Sequence, residues 1–195
     1  MIRDRGIYWP RAVLLALLCW WTLRLGSGAA SWCFLDLVNL AFHEFGHLVL
    51  RPFGTTLHYL GGTLGQLFVP AMLIFYFLLR RDEPSGAAFC FWWVGESLVN
   101  ISVYMADARE LNLPLVGGGD HDWNELFYRF GLLGEESVAR VAATTHLLGT
   151  VVMVAGLLWW TYFVLPTSVQ RRVHEAITSR SPALELLFPD PDSSA

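Results

Sequence analysis

The 195-residue chain has no lysine; its thirteen basic residues are all arginines, spread singly or in pairs along the sequence. Without a block of positive charge, nothing in it points to nucleic acid. Charge of either sign is scarce, at 15% of residues with a net charge of -4. A water-soluble domain of this size usually carries about a quarter charged residues. Cysteine is scarce too. Cys19, Cys33 and Cys90 stand alone within apolar runs, with no CxxC pair. That spacing indicates neither a disulfide framework nor a thiolate metal site, and the three read as buried small apolar residues. No internal repeat or low-complexity segment is present.

What the chain does have is apolar surface. It is 54% hydrophobic with mean hydropathy +0.44, and it holds nine tryptophans and thirteen phenylalanines. The apolar runs are separated by polar turns. They predict an all-α polytopic membrane protein with about five transmembrane helices. Residues 1–166 form the integral membrane domain in this reading, and 167–195 an amphipathic surface segment with a disordered tail.

The first apolar run, residues 12–23, follows a polar lead with Arg3, Asp4 and Arg5 and precedes a small-residue stretch, as in a secretory signal. Trp20, Trp21 and Arg24 suit a membrane interface better, so a retained helix is expected. A second helix covers about 32–50 and ends at Pro52 and Gly54. Between 55 and 70, Gly61-Gly62 with β-friendly neighbours fits a short re-entrant hairpin; a plain loop leading into a helix fits equally well. A third helix then runs to about Leu79, a fourth spans about 86–107, and a fifth about 135–165. Asp120 or Asp122 caps a short interfacial helix with Trp123, Leu126, Phe127 and Phe130 on one face. A last amphipathic helix covers 167–180, and the tail is expected to be disordered from Pro189.

The second helix carries the chemistry. In His43-Glu44-Phe45-Gly46-His47 the two histidines lie four apart, one turn above each other on one helix face. Two imidazole nitrogens can then reach one metal ion, and Glu44, one residue round, can take a proton from water. Zinc suits such ligands and does no redox chemistry. The bland alternative is a core histidine and a helix-end carboxylate satisfied by hydrogen bonds. Three ionisable groups within a lipid-spanning run are costly, however, and such groups usually mark function.

Asp36, Asn39, His43 and His47 make a polar stripe on this helix. Glu96, Asn100 and Asp107 make another on the fourth, with Tyr104 at its margin. Asp107 ends its helix, where the dipole disfavours a carboxylate, so either Arg109 or a metal should compensate it. Alternating spans bring the ends of helices two and four to the same side, making Asp107 the expected third ligand. His121, Asp122 and Asn100 are alternative ligands or supporting groups. His146 reads as an interhelical hydrogen-bond partner and His174 as a solvated residue.

These residues resemble the site-2 protease group of intramembrane zinc metallopeptidases. The likeness rests on the His43-to-His47 motif in a membrane helix, the Gly61-Gly62 to Gln66 stretch and an Asp near the end of a later helix. It covers roughly residues 32–110. The resemblance implies that His43, His47 and Asp107 hold Zn2+, that Glu44 is the general base, and that the Gly-rich stretch positions an unwound substrate strand. The expected activity is hydrolysis of a peptide bond in or near the bilayer. The expected partners are a membrane protein or peptide substrate and the lipid itself, in a multi-pass location in a bacterial inner membrane. A non-catalytic scaffold or partner subunit, stapled by a metal or by hydrogen bonds, is the alternative. A di-iron hydroxylase fits poorly, because only one histidine pair has ligand spacing.

Overall fold

The structure, a computed structural model, describes residues 7–115 and 120–192. The lead with Arg3, Asp4 and Arg5, the Gly117–Gly119 run and the last three residues of the tail lie outside the described residues. The described chain is all-helical, with no strand. Its seven helices are α1 (Trp9–Gly26), α2 (Asp36–Leu50), α3 (Thr55–Tyr76), α4 (Pro84–Ala106), α5 (Asp122–Arg129), α6 (Glu135–Tyr162) and α7 (Thr167–Thr178).

Helix α4 is the centre of the bundle, and Trp92, Glu96, Ser97 and Val99 on it are almost wholly buried. Its main partner is α6, and the two backbones meet at Gly95 and Gly149. A Cβ on Gly149 would lie 2.6 Å from the Gly95 carbonyl oxygen, so no larger residue fits without moving the helices apart. Small residues at a crossing are what helices use when the surroundings are as apolar as their own side chains. Helix α1 packs along α6 and α4, where Trp92 Nε1 donates to Thr22 Oγ1 at 2.7 Å.

The expected re-entrant hairpin at 55–70 does not form; that stretch is the first part of α3. The reason lies in its neighbour. A Cβ on Gly46 of α2 would sit 2.0 Å from the Gly61 carbonyl oxygen, and one on Gly65 would sit 2.4 Å from that of Phe42. The glycines that weaken a helix in isolation let α2 and α3 touch backbone to backbone. The turn between them closes at Gly54, whose φ of 102° excludes most other residues. Irregular chain occurs instead at residues 27–35. There Cys33 is fully buried and its backbone N–H donates to Asp36 Oδ2 at 2.6 Å.

Two helical stretches, Thr55–Arg81 and Glu135–Tyr162, are long and apolar enough to cross a membrane. Large apolar side chains lie on the surface as well as in the core, and several polar ones are buried. Leu23, Phe45, Leu48, Phe68, Phe75 and Leu158 are exposed, while Asp36, Asn39, Gln66 and Glu96 are buried. After Pro166 the chain turns into α7. The tail expected to be disordered from Pro189 is held as far as Asp192, by Tyr162 donating to the Pro189 carbonyl and by the Arg171–Asp192 ion pair at 2.7 Å.

Candidate metal centre

Helix α2 presents His43 and His47 one turn apart, with ring centroids 4.7 Å from each other. Both Nε2 atoms meet one carboxylate oxygen, Asp122 Oδ2, at 3.0 Å from His43 and 3.2 Å from His47. Asp122 is the first residue of α5. Its backbone N–H donates to the Tyr104 hydroxyl at 3.2 Å, which ties the start of α5 to α4. Room for the His43 ring comes from Gly62 on α3, where a Cβ would lie 2.4 Å from the imidazole.

The tautomer of His47 decides what this arrangement can hold. Its Nδ1 lies 2.7 Å from the carbonyl oxygen of His58, which can only accept, so Nδ1 carries the proton. In the neutral ring Nε2 is then a lone pair facing a carboxylate oxygen, two acceptors in contact. Either a second proton or a metal ion must lie between them. With protons there, burial pushes the Asp122 carboxyl up, but hydrogen bonds and charge from the two imidazoles outweigh it and hold it below its ordinary value.

The geometry fits a metal. Ligands at zinc distances in a tetrahedral shell lie about 3.3 Å apart, close to both observed separations. The carbonyl on Nδ1 is the outer contact that fixes a ligating histidine ring. His58 returns the contact, its Nδ1 donating to the His47 carbonyl at 3.2 Å. No side-chain pattern announces the His58 carbonyl, because the contact depends on the α2–α3 turn.

Asp107 is not brought to the histidines, and this corrects the expected ligand set. Its two oxygens accept the backbone N–H groups of Asn112 and Leu113, at 2.9 and 3.0 Å, and so shape the loop after α4. Those donors, with His121 Nε2 at 3.5 Å, answer the unfavourable helix end, while Arg109 pairs with Glu135 instead. His121, not an aspartate, caps α5: its Nδ1 accepts from Asn124 N at 3.2 Å. Burial lowers the His121 imidazole below its ordinary value despite Asp107 and Asp122 nearby. Its ring lies against Tyr104, with centroids 4.1 Å apart. Asn100 accepts from Gln66 Nε2 at 2.9 Å, on the cavity wall and outside the ligand group.

A cavity of about 770 Å³ opens beside the group. Glu44 lines it, half-buried and without a hydrogen bond to any described residue. Apolar walls come from Leu37, Leu40 and Leu48 of α2 and from Leu113, Pro114 and Leu115 of the loop.

A second group with ligand-like spacing is Cys33, Asp36 and Glu96, whose candidate atoms lie within 4.8 Å of one another. Both Glu96 oxygens already have donors, Cys33 Sγ at 3.2 Å and Asn39 Nδ2 at 2.9 Å. Trp93 Nε1 in turn donates to Asn39 Oδ1 at 2.8 Å. This group is thus a hydrogen-bonded joint between α2 and α4. His146 makes another joint, reaching Ser102 of α4 and the Gly26 carbonyl of α1. His174, expected to be solvated, bonds the Phe188 carbonyl at 2.7 Å.

Comparison with models of known protein families, with curated proteins and with solved structures returned no match.

Proposed function

We propose that the protein is a multi-pass membrane zinc metallopeptidase, with His43, His47 and Asp122 as the metal ligands and Glu44 as the general base. The observation that carries this reading is the His47 ring, whose Nδ1 is committed to the His58 carbonyl while Nε2 faces Asp122 Oδ2 at 3.2 Å. Three protein ligands are what a catalytic zinc site uses, with a further position left for water or substrate. The exposed apolar residues on α1, α2, α3 and α6 support a bundle of about five spans, in which the two longest helices are joined by shorter ones. The likeness to the site-2 protease group supports the same chemistry, with the third ligand drawn from α5 and not from the end of α4.

Zinc held there would polarise a peptide carbonyl and a water molecule. Glu44, beside the pair on the next helix position, would take the proton from the attacking water. As the water oxygen bonds to the carbonyl carbon and the carbon–nitrogen bond breaks, Glu44 passes that proton to the leaving amine. Helical substrates hide their carbonyls in hydrogen bonds, so a cleaved segment must unwind and should contain Gly, Pro or Asn. The cavity wall formed by Leu113, Pro114 and Leu115 gives an apolar segment a surface to lie on.

The test is Glu44→Gln in full-length protein purified in detergent. Zinc should remain at about one per chain while cleavage of a membrane peptide falls by several orders of magnitude. Cleavage equal to the parent protein removes Glu44 from the reaction. The rival reading, a metal staple between α2 and α5, predicts bound zinc with no water position and no cleavage by either protein. The unpartnered Glu44 in an open cavity favours the enzyme.

A further inference from the structure

The cavity beside the metal group has two facing walls. Helix α2 brings the two histidines and Glu44, and α4 brings Asn100, Val103 and Tyr104. Tyr104 is half-buried and reaches the pair, its ring centroid 6.0 Å from that of His43. The hydrolase reading, on which this inference rests, gives it no part in the chemistry.

The partners of Tyr104 fix where its hydroxyl proton lies. The oxygen accepts from Asp122 N at 3.2 Å. That N–H occupies a lone pair, so the phenolic proton is turned away from it. No acceptor among the described residues takes that proton. The other donors around the histidines are committed. His47 Nδ1 and His58 Nδ1 each bond the other residue's backbone carbonyl, and the Tyr59 hydroxyl donates to Asp120. The Tyr104 ring is held as well, with the buried His121 imidazole against it at 4.1 Å between centroids. The result is a fixed O–H donor with its proton unspent, one backbone bond away from a metal ligand.

We propose that the Tyr104 hydroxyl donates to the oxyanion that forms when water adds to the substrate carbonyl. As the water oxygen bonds to the carbonyl carbon, the carbonyl π pair moves onto its oxygen. That charge is absent in the bound peptide, so a donor aimed at it lowers the barrier without tightening substrate binding. When the carbon–nitrogen bond breaks, the pair returns to the carbonyl; Tyr104 keeps its proton throughout, and the leaving amine takes its proton from Glu44. The remaining lining makes such a donor necessary. Glu44 and Asp122 are both acidic, and no arginine lies among the described lining residues. A phenol held in place beforehand supplies the donor with no reorganisation as the charge develops.

The experiment uses full-length, zinc-loaded Glu44→Gln protein in detergent, with and without Tyr104→Phe. Two fluorescent leucine-rich peptides are the probes, one intact and one with a phosphinic group, a tetrahedral anion, in place of the scissile bond. Dissociation constants are read by anisotropy at saturating zinc. Tyr104→Phe should weaken the phosphinic peptide by about 100-fold and the intact peptide by less than about threefold. A Tyr104 that only ties α5 to α4 would change both alike. Equal loss for the two probes, or loss for neither, overturns the proposal. A ring-fluorinated tyrosine placed at position 104 keeps the hydroxyl and the fold, and is followed by fluorine NMR. Its resonance should move with the phosphinic peptide and far less with the intact one. The same spectrum with both overturns the proposal even where Tyr104→Phe fails to load zinc. Cleavage of the intact peptide is read in parallel, with Glu44 restored. Tyr104→Phe should lower kcat about 100-fold with KM nearly unchanged. Selective phosphinic binding through Tyr104 with no cleavage by the parent protein upholds the anion donor and sinks the hydrolase reading. Cleavage by the parent protein with an equal kcat in Tyr104→Phe does the reverse.

Discussion

His47 and Asp122 meet acceptor to acceptor: a ring nitrogen whose opposite N–H is committed to the His58 carbonyl stands 3.2 Å from a carboxylate oxygen. The contact joins α2 to the first residue of α5, seventy-five positions later in the chain. It is stable only with a cation between the two atoms, and the identity of that cation decides what the protein is.

The first prediction follows from that contact. Asp122→Ala removes the one carboxylate that, among the described residues, meets both rings, and should lower zinc affinity by about 100-fold or more, beyond the 10–100-fold typical of an outer contact. Zinc should then no longer raise the melting temperature, because a ligand stabilises only the state it binds. Metal titration of purified protein, with and without a chelator, checks both. Unchanged affinity would show that Asp122 is a neighbour and not a ligand.

Asp107 should behave differently. Its carboxylate holds two backbone N–H groups of the loop and no imidazole of the pair. Asp107→Ala should cost about 1–3 kcal/mol of stability through those donors, measured by thermal or denaturant unfolding in detergent. Zinc affinity should fall far less than in Asp122→Ala. If the two variants lose zinc equally, Asp107 is a ligand after all and the loop geometry is not that of the metal-bound protein.

How much of this was legible in the residues can be traced through the same pair of aspartates. The His43–His47 motif is local, since four positions on a helix fix its geometry, and the spacing alone placed both rings on one face. That the end of α4 comes up beside α2 was expected, and Tyr104 there lies 6.0 Å from the His43 ring. Which carboxylate arrives there was not legible. That depends on the path of a loop shaped by backbone N–H groups of Asn112 and Leu113 and by His121 as the cap of α5. The Gly61-Gly62 stretch misled for a related reason. Glycine lowers helix propensity locally, yet its absent side chain is what α2 requires for contact, and tertiary packing won over propensity. The Asp36–Glu96 joint was visible only as two separate stripes, whose facing was not encoded in either helix alone.

Gly62 offers a test of the site that leaves the ligands themselves untouched. A methyl group there would lie 2.4 Å from the His43 imidazole, so the ring must turn or shift. Gly62→Ala should therefore lower zinc affinity by about tenfold or more, since a displaced ligand loses its geometry. Helix content should change little, because alanine favours the helix by about 1 kcal/mol over glycine. Gly61→Ala is the contrast. Its added carbon meets the α2 backbone, 2.6 Å from the Gly46 carbonyl oxygen, and should weaken the α2–α3 contact and the fold together. Metal titration alongside circular dichroism separates the two effects, and equal loss of helix in both variants would defeat the distinction.

The last prediction concerns Asn39, the hinge of the buried polar joint. It donates to Glu96 Oε2 at 2.9 Å and accepts from Trp93 Nε1 at 2.8 Å, with Ser97 Oγ at 3.3 Å on the same oxygen. At 2% exposure there is no water to take over these contacts. Asn39→Leu keeps the branched outline with a bulkier side chain and strands the indole N–H, the Ser97 hydroxyl and one carboxyl oxygen, each left unsatisfied at a cost of about 1–3 kcal/mol. The expected result is a lower denaturant midpoint; Trp93→Phe removes the indole donor together with part of a buried ring. The double variant Asn39→Leu with Trp93→Phe should lose less than the sum of the two, because the indole stranded by the first is deleted by the second. Simple additivity in that cycle would mean that the Trp93–Asn39 bond contributes nothing to holding α2 against α4.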